Sequence, residues 1–478
     1  MLEIEQNFIG GKRVDSRSGD RLEVRFSYDN SLVGTVPLAS KVDIDLAVAS
    51  ARTAFDDRRW SGTEPQQRQA ILTRFAELHA ARCDEFAEFV CGENATSLWC
   101  ATAIQQGIAP QNAAYLEAAR GYAWEQRVSS FGDQTETVWR REPVGVVAAI
   151  VPWNAPHQSA LVKLFPALLA GCSVVLKLAP ETALSGQFLG EMFTEAGLPE
   201  GVLSILVADR EVSEYLVSHR DVDKIAFTGS TAAGQRIAAI SGQDIRRYSL
   251  ELGGKSANII LPDADLEPVA QSVRYSAMFN SGQTCIAQSR ILVPRASHDA
   301  FVDALVADVE SLTLGDPREI ETFIGPLVSE RQQRRAWELI DAGIAEGAKV
   351  AVGGSGMPTG IDHGAFVQPT VFCNVDNAMR IAREEIFAPV ACVIPYDSVE
   401  EAISIANDSP YGLAGGIWSS NREQALAVAR QVRTGMISIN GAGPDFAAPF
   451  GGFKQSGSGR EFGGAGIDAY VEHQVITM

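Results

Sequence analysis

Two short runs concentrate the chemistry of this chain. Cys285 sits in Gly282-Gln283-Thr284-Cys285-Ile286-Ala287-Gln288, and Glu251 sits in Leu250-Glu251-Leu252-Gly253-Gly254-Lys255-Ser256. The thiolate is the nucleophilic form of cysteine, so a reactive cysteine needs a lowered pKa or a partner base. Glu251 is the candidate base. A carboxylate does that work near neutral pH when apolar groups, here Leu250 and Leu252, partly bury it. Glycines in both runs let the backbone approach a bound molecule closely. The plainer readings are a small buried cysteine and a solvated loop acid.

The elements around these runs alternate. Residues 41–58, 65–91 and 94–124 carry apolar side chains at helical spacing. The period then changes, and Ser129 to Gly145 alternates around Gly132-Asp133, which reads as a hairpin or extended ribbon. Residues 144–152, 172–177, 202–207 and 224–227 are β-rich apolar runs of the kind buried on both faces of a parallel sheet. The segments 157–170, 182–196 and 211–219 between them read as helices, the first two closed by Gly171 and Gly197. This alternation is that of an open, doubly wound sheet. A second α/β series begins near 258–261. It includes strands at 290–293 and 390–394, and helices at 296–311, 329–346 and 421–433. Residues 469–477 read as extended.

Composition bounds the function classes. A chain of 478 residues exceeds one ordinary core, so two or three domains are expected. The formal charge of −19 argues against a nucleic-acid partner, which demands a basic face, and leaves any phosphate contacts to local cations. Seven cysteines without a C-x-x-C pair, and six scattered histidines, argue against a disulfide framework and a metal site. The acidic N-terminus is not a signal peptide, and no apolar stretch is long enough to span a bilayer. The expectation is a reduced, cytoplasmic protein with no membrane partner.

GQTCIAQ and LELGGKS resemble the two signatures of the aldehyde dehydrogenase superfamily. Val151-Pro152-Trp153-Asn154, Phe227-Thr228-Gly229-Ser230, Glu384-Glu385-Ile386-Phe387-Ala388-Pro389 and Pro449-Phe450-Gly451-Gly452-Phe453-Lys454 match further motifs of that family, in its order and across nearly the whole chain. The fold this implies is α/β: two doubly wound Rossmann-like domains plus a small β oligomerisation ribbon. The implied division is a cofactor-binding domain at 1–122 and 143–252, a catalytic domain at 253–443, and a ribbon and tail at 123–142 and 444–478. The resemblance also implies a homodimer or homotetramer, with the tail pairing on the ribbon of a neighbouring subunit.

The implied activity is NAD(P)-dependent oxidation of an aldehyde to a carboxylic acid. Cys285 would form a thiohemiacetal and then a thioester, which water activated by Glu251 would hydrolyse. The Asn154 amide and the Cys285 N–H would hold the oxyanion, where each donor contributes about 2.7–4 kcal/mol. From its position alone, Asn154 also reads as a helix N-cap. Lys163 and Glu461 match the family's proton relay, and an interdomain ion pair is the plainer reading.

For NAD, with NADP possible, the resemblance points to Trp153, Lys177, Gly229, Ser230, Glu385 and Phe387. Lys177 ends a parallel strand, the edge where open sheets bind ligands, and Gly229-Ser230 opens a helix able to receive a pyrophosphate. Two positions depart from the family. Pro180 stands where many NAD-preferring members have a glutamate, with Glu181 one residue later, and this motivates the expectation of mixed cofactor use. Ala208-Asp209-Arg210-Glu211-Val212-Ser213 lacks the usual glycines.

Ala155, Ser159, Val162, Thr284, Ile286, Pro444 and Phe450 match the substrate tunnel. Several are small, and none is a cation able to clamp a carboxylate. A bulky apolar aldehyde is therefore expected, terpenoid such as geranial, or aromatic. A semialdehyde dehydrogenase and a coenzyme A-acylating enzyme are the alternatives. The resemblance weakens the second, because members of that kind generally lack the glutamate at 251. A cysteine hydrolase without redox chemistry, or a non-catalytic scaffold, would leave Lys177, Asn154 and Glu385 without a purpose.

Overall fold

In the computed structural model, which describes residues 1–129 and 136–478, the apolar runs become two parallel sheets. In the first sheet, β1 (Val146–Ile150), β2 (Ser173–Leu178), β3 (Leu203–Val207), β4 (Lys224–Thr228) and β5 (Arg247–Glu251) lie in the order β5-β4-β1-β2-β3. The first three strands are buried at every residue. Successive side chains serve opposite faces. Val147, Ala149, Val174 and Leu176 enter one core, while Val146, Ala148, Ile150 and Val175 enter the other. A strand clothed by helices on both sides has no polar face, which is why these runs read as continuous rather than alternating.

Chain order reverses between β1 and β4, and the crevice outside that reversal is where such sheets bind ligands. The register brings the strand ends level. Ile150 pairs with Lys177 and Phe227, and Thr228 pairs with Glu251. Three antiparallel strands finish the sheet. Asn7–Ile9 and Lys12–Val14 extend it beyond β3, and Gly457–Ser458 pairs with the end of β5.

The second sheet holds β6 (Ala257–Ile260), β7 (Arg290–Pro294), β8 (Thr370–Cys373), β9 (Val390–Tyr396), β10 (Gly415–Trp418) and β11 (Ser438–Ile439). Their order is β8-β9-β7-β6-β10-β11, all parallel, with Lys349–Val352 antiparallel at the β8 edge. Four helices matter to the site: α1 (Leu98–Arg120), α2 (Pro156–Ala170), α3 (Thr231–Gln243) and α4 (Glu330–Ala345).

Three sequence expectations are corrected. The helix expected over 65–91 is two, Pro65–Ala81 and Cys83–Asn94, because Arg82 between them leaves helical geometry (φ −112°, ψ 17°). The helix expected from 182 begins at Phe188, after two short turns. There the buried Glu93 carboxylate accepts the Leu184 and Ser185 N–H groups (2.5 and 3.2 Å), so a distant side chain satisfies donors that a helix would otherwise use. Finally, the tail Val471–Thr477 pairs with Glu136–Pro143 of its own chain rather than a neighbour's. The Val144 N–H donates to the Tyr470 carbonyl (3.0 Å), so the two strands start side by side and zip at little loop-closure cost.

Glu125–Ser129 completes this three-stranded ribbon, and the expected Gly132-Asp133 turn lies outside the described residues. Among the described residues no helix is long and apolar enough to cross a membrane. All seven cysteines are free thiols.

Candidate active site

The Cys285 loop hangs from an irregular turn, Phe279–Gly282, in which Asn280, Ser281 and Gly282 all adopt left-handed backbone (φ 53°, 53° and 73°). Non-glycine residues hold this conformation only when their surroundings over-determine it. Here they do. The Ser281 hydroxyl donates to the Gly325 carbonyl (2.8 Å), and the Asn280 amide donates to the Asn154 carbonyl (3.0 Å). The Gln283 amide donates back to Asn280, and its oxygen accepts the Val328 N–H. Gly282 is also required sterically, because any Cβ there would collide with the Ala388 carbonyl. The cysteine loop is thus fastened to the loop after β1, to residues 325–328 and to the 384–389 segment.

Asn154 is not a helix cap. The N-cap of α2 is Ala155, and no side chain caps it. The Asn154 amide instead donates to the Gln283 carbonyl (2.9 Å), two residues before Cys285. One of its two amide protons is used there, and the second makes no hydrogen bond among the described residues. Cys285 is half-buried, and its thiol is pushed up to about 12, mainly by burial and then by the Glu385 and Glu251 charges. Near neutral pH the sulfur is therefore a neutral thiol.

Glu251 ends β5 and is buried, with neither carboxylate oxygen hydrogen-bonded. Burial holds its carboxyl well above the usual range. The Glu461 charge adds to this, while Lys163 and Arg460 oppose it. A buried carboxyl without a partner is costly, and such groups cluster where chemistry is done. Beside it, Lys163 on α2 donates to Glu461 (2.6 Å), with the two side chains 1% and 10% exposed.

Tyr115 on α1 holds this pair in place. Its hydroxyl donates to the Val162 carbonyl (3.1 Å) and accepts the Phe462 N–H (2.8 Å), clamping each neighbour of the pair. That bond also supports Phe462, whose φ is 63°. Neither Tyr115 nor Gln283 stands out in the sequence. Tyr115 lies on an ordinary apolar helix face, and Gln283 shows itself only through its place before Cys285.

The remaining motifs meet at the C-terminal edge of the first sheet. Lys177, at the end of β2, is mostly buried and makes no ion pair among the described residues. Burial lowers its ammonium to about 8, against the opposing charge of Glu181. Ser230 caps α3 by accepting the Ala233 N–H (3.3 Å), and the preceding Gly229 leaves the helix entrance open. Glu385 accepts the Gly254 N–H (3.0 Å) and is raised to about 7, chiefly by burial. Its carboxylate packs where a side chain on Gly253 would stand, which explains the paired glycines. Trp153 meets Phe387 edge-on (centroids 5.4 Å apart, 88°), and Phe387 is held at φ 60°. In the segment that lacks glycines, Asp209 caps a helix by accepting the Val212 N–H (2.8 Å).

Of the residues matched to the tunnel, Ala155, Ser159, Thr284 and Phe450 are half-buried, Val162 is buried, and Ile286 and Pro444 are exposed. Phe450 belongs to an aromatic cluster that the sequence does not announce. Phe446 and Phe450 each lie 5.2 Å from Phe462, and Tyr115 lies 6.3 Å from it.

Comparison with known proteins agrees across the chain. The aldehyde dehydrogenase family profile matches residues 14–476. The chain is 41% identical to geranial dehydrogenase of Castellaniella defragrans, covering 100% of this chain and 99% of that protein. It is 40% identical to 3-succinoylsemialdehyde-pyridine dehydrogenase of a Pseudomonas species, with coverage of 100% and 99%. It superposes on the crystal structure of an aldehyde dehydrogenase of Mycobacterium tuberculosis complexed with NAD+. That match has a TM-score of 0.95 and 42% identity, over 99% of this chain and 98% of that one.

Proposed function

The chain belongs to the aldehyde dehydrogenase family, and from that premise we propose that it oxidises a bulky apolar aldehyde to its carboxylic acid with NAD, using NADP as well. The observation that carries this reading is the meeting of three groups: the half-buried Cys285 thiol, the Asn154 amide fastened two residues before it, and the buried, unpartnered Glu251 carboxyl.

In this reading residues 1–122 and 143–252 bind the cofactor and 253–443 carry the nucleophile, while 123–142 and 444–478 serve assembly. The Cys285 sulfur gives up its proton to water and bonds to the aldehyde carbon as the C=O π bond opens onto oxygen. The new oxyanion accepts the free Asn154 amide proton and the Cys285 N–H. Lys177, Ser230, the Gly229 backbone, Glu385, Trp153 and Phe387 would hold NAD(P), which when bound supplies the hydride acceptor. These residues suit it chemically. A buried ammonium faces the sheet edge, a helix N-terminus favours an anion, and Glu385 keeps acceptor capacity for a hydroxyl.

Loss of hydride from the thiohemiacetal leaves a Cys285 thioester. Glu251 then takes one proton from water as its oxygen attacks the thioester carbon, and the C–S bond breaks as the sulfur takes the water's second hydrogen, so that the product leaves as the carboxylate and Cys285 as the thiol. The proton passes on towards Lys163 and Glu461.

Small side chains at 155, 159 and 162 and the aromatic cluster around Phe462 support an apolar substrate, as does likeness to a geranial dehydrogenase. The comparable likeness to a semialdehyde dehydrogenase keeps a keto- or semialdehyde as the second reading. The test is a panel of geranial, benzaldehyde, acetaldehyde and succinate semialdehyde, followed by reduced-nicotinamide absorbance without coenzyme A. Highest kcat/KM on geranial or benzaldehyde is expected, and highest kcat/KM on succinate semialdehyde overturns the substrate. Glu251→Gln should keep the first-turnover burst and slow the steady state. Loss of the burst shows that Glu251 also deprotonates the thiol.

A further inference from the structure

Helix α4 carries Arg331 and Arg335 four residues apart, hence on one face. The Arg335 guanidinium donates to the Glu385 carbonyl (3.4 Å). The Arg331 guanidinium donates to the Glu181 carboxylate, also at 3.4 Å. Glu181 stands in the turn Pro180–Thr182, just after Lys177 at the edge of the first sheet, whereas α4 packs with the second sheet. The Arg331–Glu181 pair therefore crosses the cleft.

The Arg331 side chain is 73% exposed and that of Glu181 25%. An ion pair this open contributes little to stability, so the fold does not account for it. Its setting is unusual for a chain of net charge −19. Two cations, Lys177 and Arg331, flank one carboxylate, and the Pro180 side chain offers neither a hydrogen-bond acceptor nor a repelling charge.

We propose that Arg331 and Lys177 together accept a 2′-phosphate on the cofactor's adenosine ribose, while Glu181 accepts a free 2′-hydroxyl, so that the Glu181–Arg331 contact sets the balance between NADP and NAD. This rests on the cofactor reading above. With a 2′-hydroxyl, Glu181 takes its hydrogen bond and Arg331 keeps its partner. With a 2′-phosphate, the planar guanidinium exchanges Glu181 for the phosphate, which it grips through two parallel bonds. The exposed pair is cheap to break, and both cofactors are then usable.

The test is calorimetric binding of 5′-AMP and adenosine 2′,5′-bisphosphate to the full chain, two nucleotides that differ only by the 2′-phosphate. Arg331→Ala should weaken the bisphosphate roughly tenfold, the worth of one charge-assisted contact, and change 5′-AMP by less than about twofold. Arg331→Lys should restore part of the loss, and Glu181→Gln should shift preference towards the bisphosphate. Equal weakening of both nucleotides by Arg331→Ala, or no change in either, overturns the assignment. So does a wild-type protein that binds 5′-AMP and rejects the bisphosphate. Binding of neither nucleotide overturns the cofactor reading itself.

Discussion

The Lys163–Glu461 pair offers the sharpest test of the site. Its members lie 2.6 Å apart with side chains 1% and 10% exposed, so removing one strands the other away from water. Breaking such a pair costs about 3–5 kcal/mol, whereas removing both partners together costs far less than the sum. Lys163→Met and Glu461→Gln should therefore each lower the melting temperature by about 3–5 °C, at roughly 1 °C per kcal/mol for a chain of 478 residues. The double variant should recover part of that loss.

Function should respond with opposite signs. Deacylation needs ionised Glu251, whose carboxyl is raised by burial and by Glu461 and lowered by Lys163. Glu461→Gln removes the like charge and frees Lys163, so the acid limb of the steady-state rate moves to lower pH. Lys163→Met removes the cation, so the limb moves to higher pH. Calorimetric melting and pH–rate profiles of the three variants decide the matter. Single variants that melt within about 1 °C of the parent, less than a buried pair requires, refute the reasoning. So do limbs that move in the same direction.

Three further outcomes are expected. Asn154→Ala should lower kcat by about 10²–10³-fold through loss of one oxyanion donor, and single-turnover kinetics showing unchanged acylation would contradict this. Gly282→Ala should destabilise by more than about 1 kcal/mol, since position 282 has φ +73° and faces the Ala388 carbonyl; a parental melting temperature refutes it. His79 and His157 are buried and held to about 4 and 3, chiefly by burial. Between those values and the unfolded value near 6.5, the unfolded chain binds more protons, so stability falls as pH drops from about 6.5 towards 3. His79→Phe, placed between Phe75 and Phe86, should flatten that decline in melting measured against pH.

The two-sided strands of the first sheet were legible in the sequence because burial on both faces leaves continuous apolar runs, as at 144–152 and 172–177. The site was legible as pieces. Cys285 and Glu251 each sit in a compact run where glycines advertise close backbone approach, and Asn154 and Glu385 sit in compact motifs marked by proline and aromatic neighbours. Helix interruptions were less visible. The break at Arg82 leaves no Gly or Pro signal, and the delayed start at Phe188 depends on Glu93, far away in the chain.

Local order along the chain, then, determined the strands, most helices and the identity of the reacting groups, because side-chain periodicity and turn chemistry act over a few residues. Tertiary structure alone decided that Gln283 receives the Asn154 amide and that Tyr115 clamps both neighbours of the Lys163–Glu461 pair. It alone decided that the tail zips onto its own ribbon and that Arg331 crosses to Glu181. Each of these joins residues far apart in sequence. Directional hydrogen bonds and ion pairs of that kind carry no periodic signature, and exist only once packing has set their distances and removed the water between them.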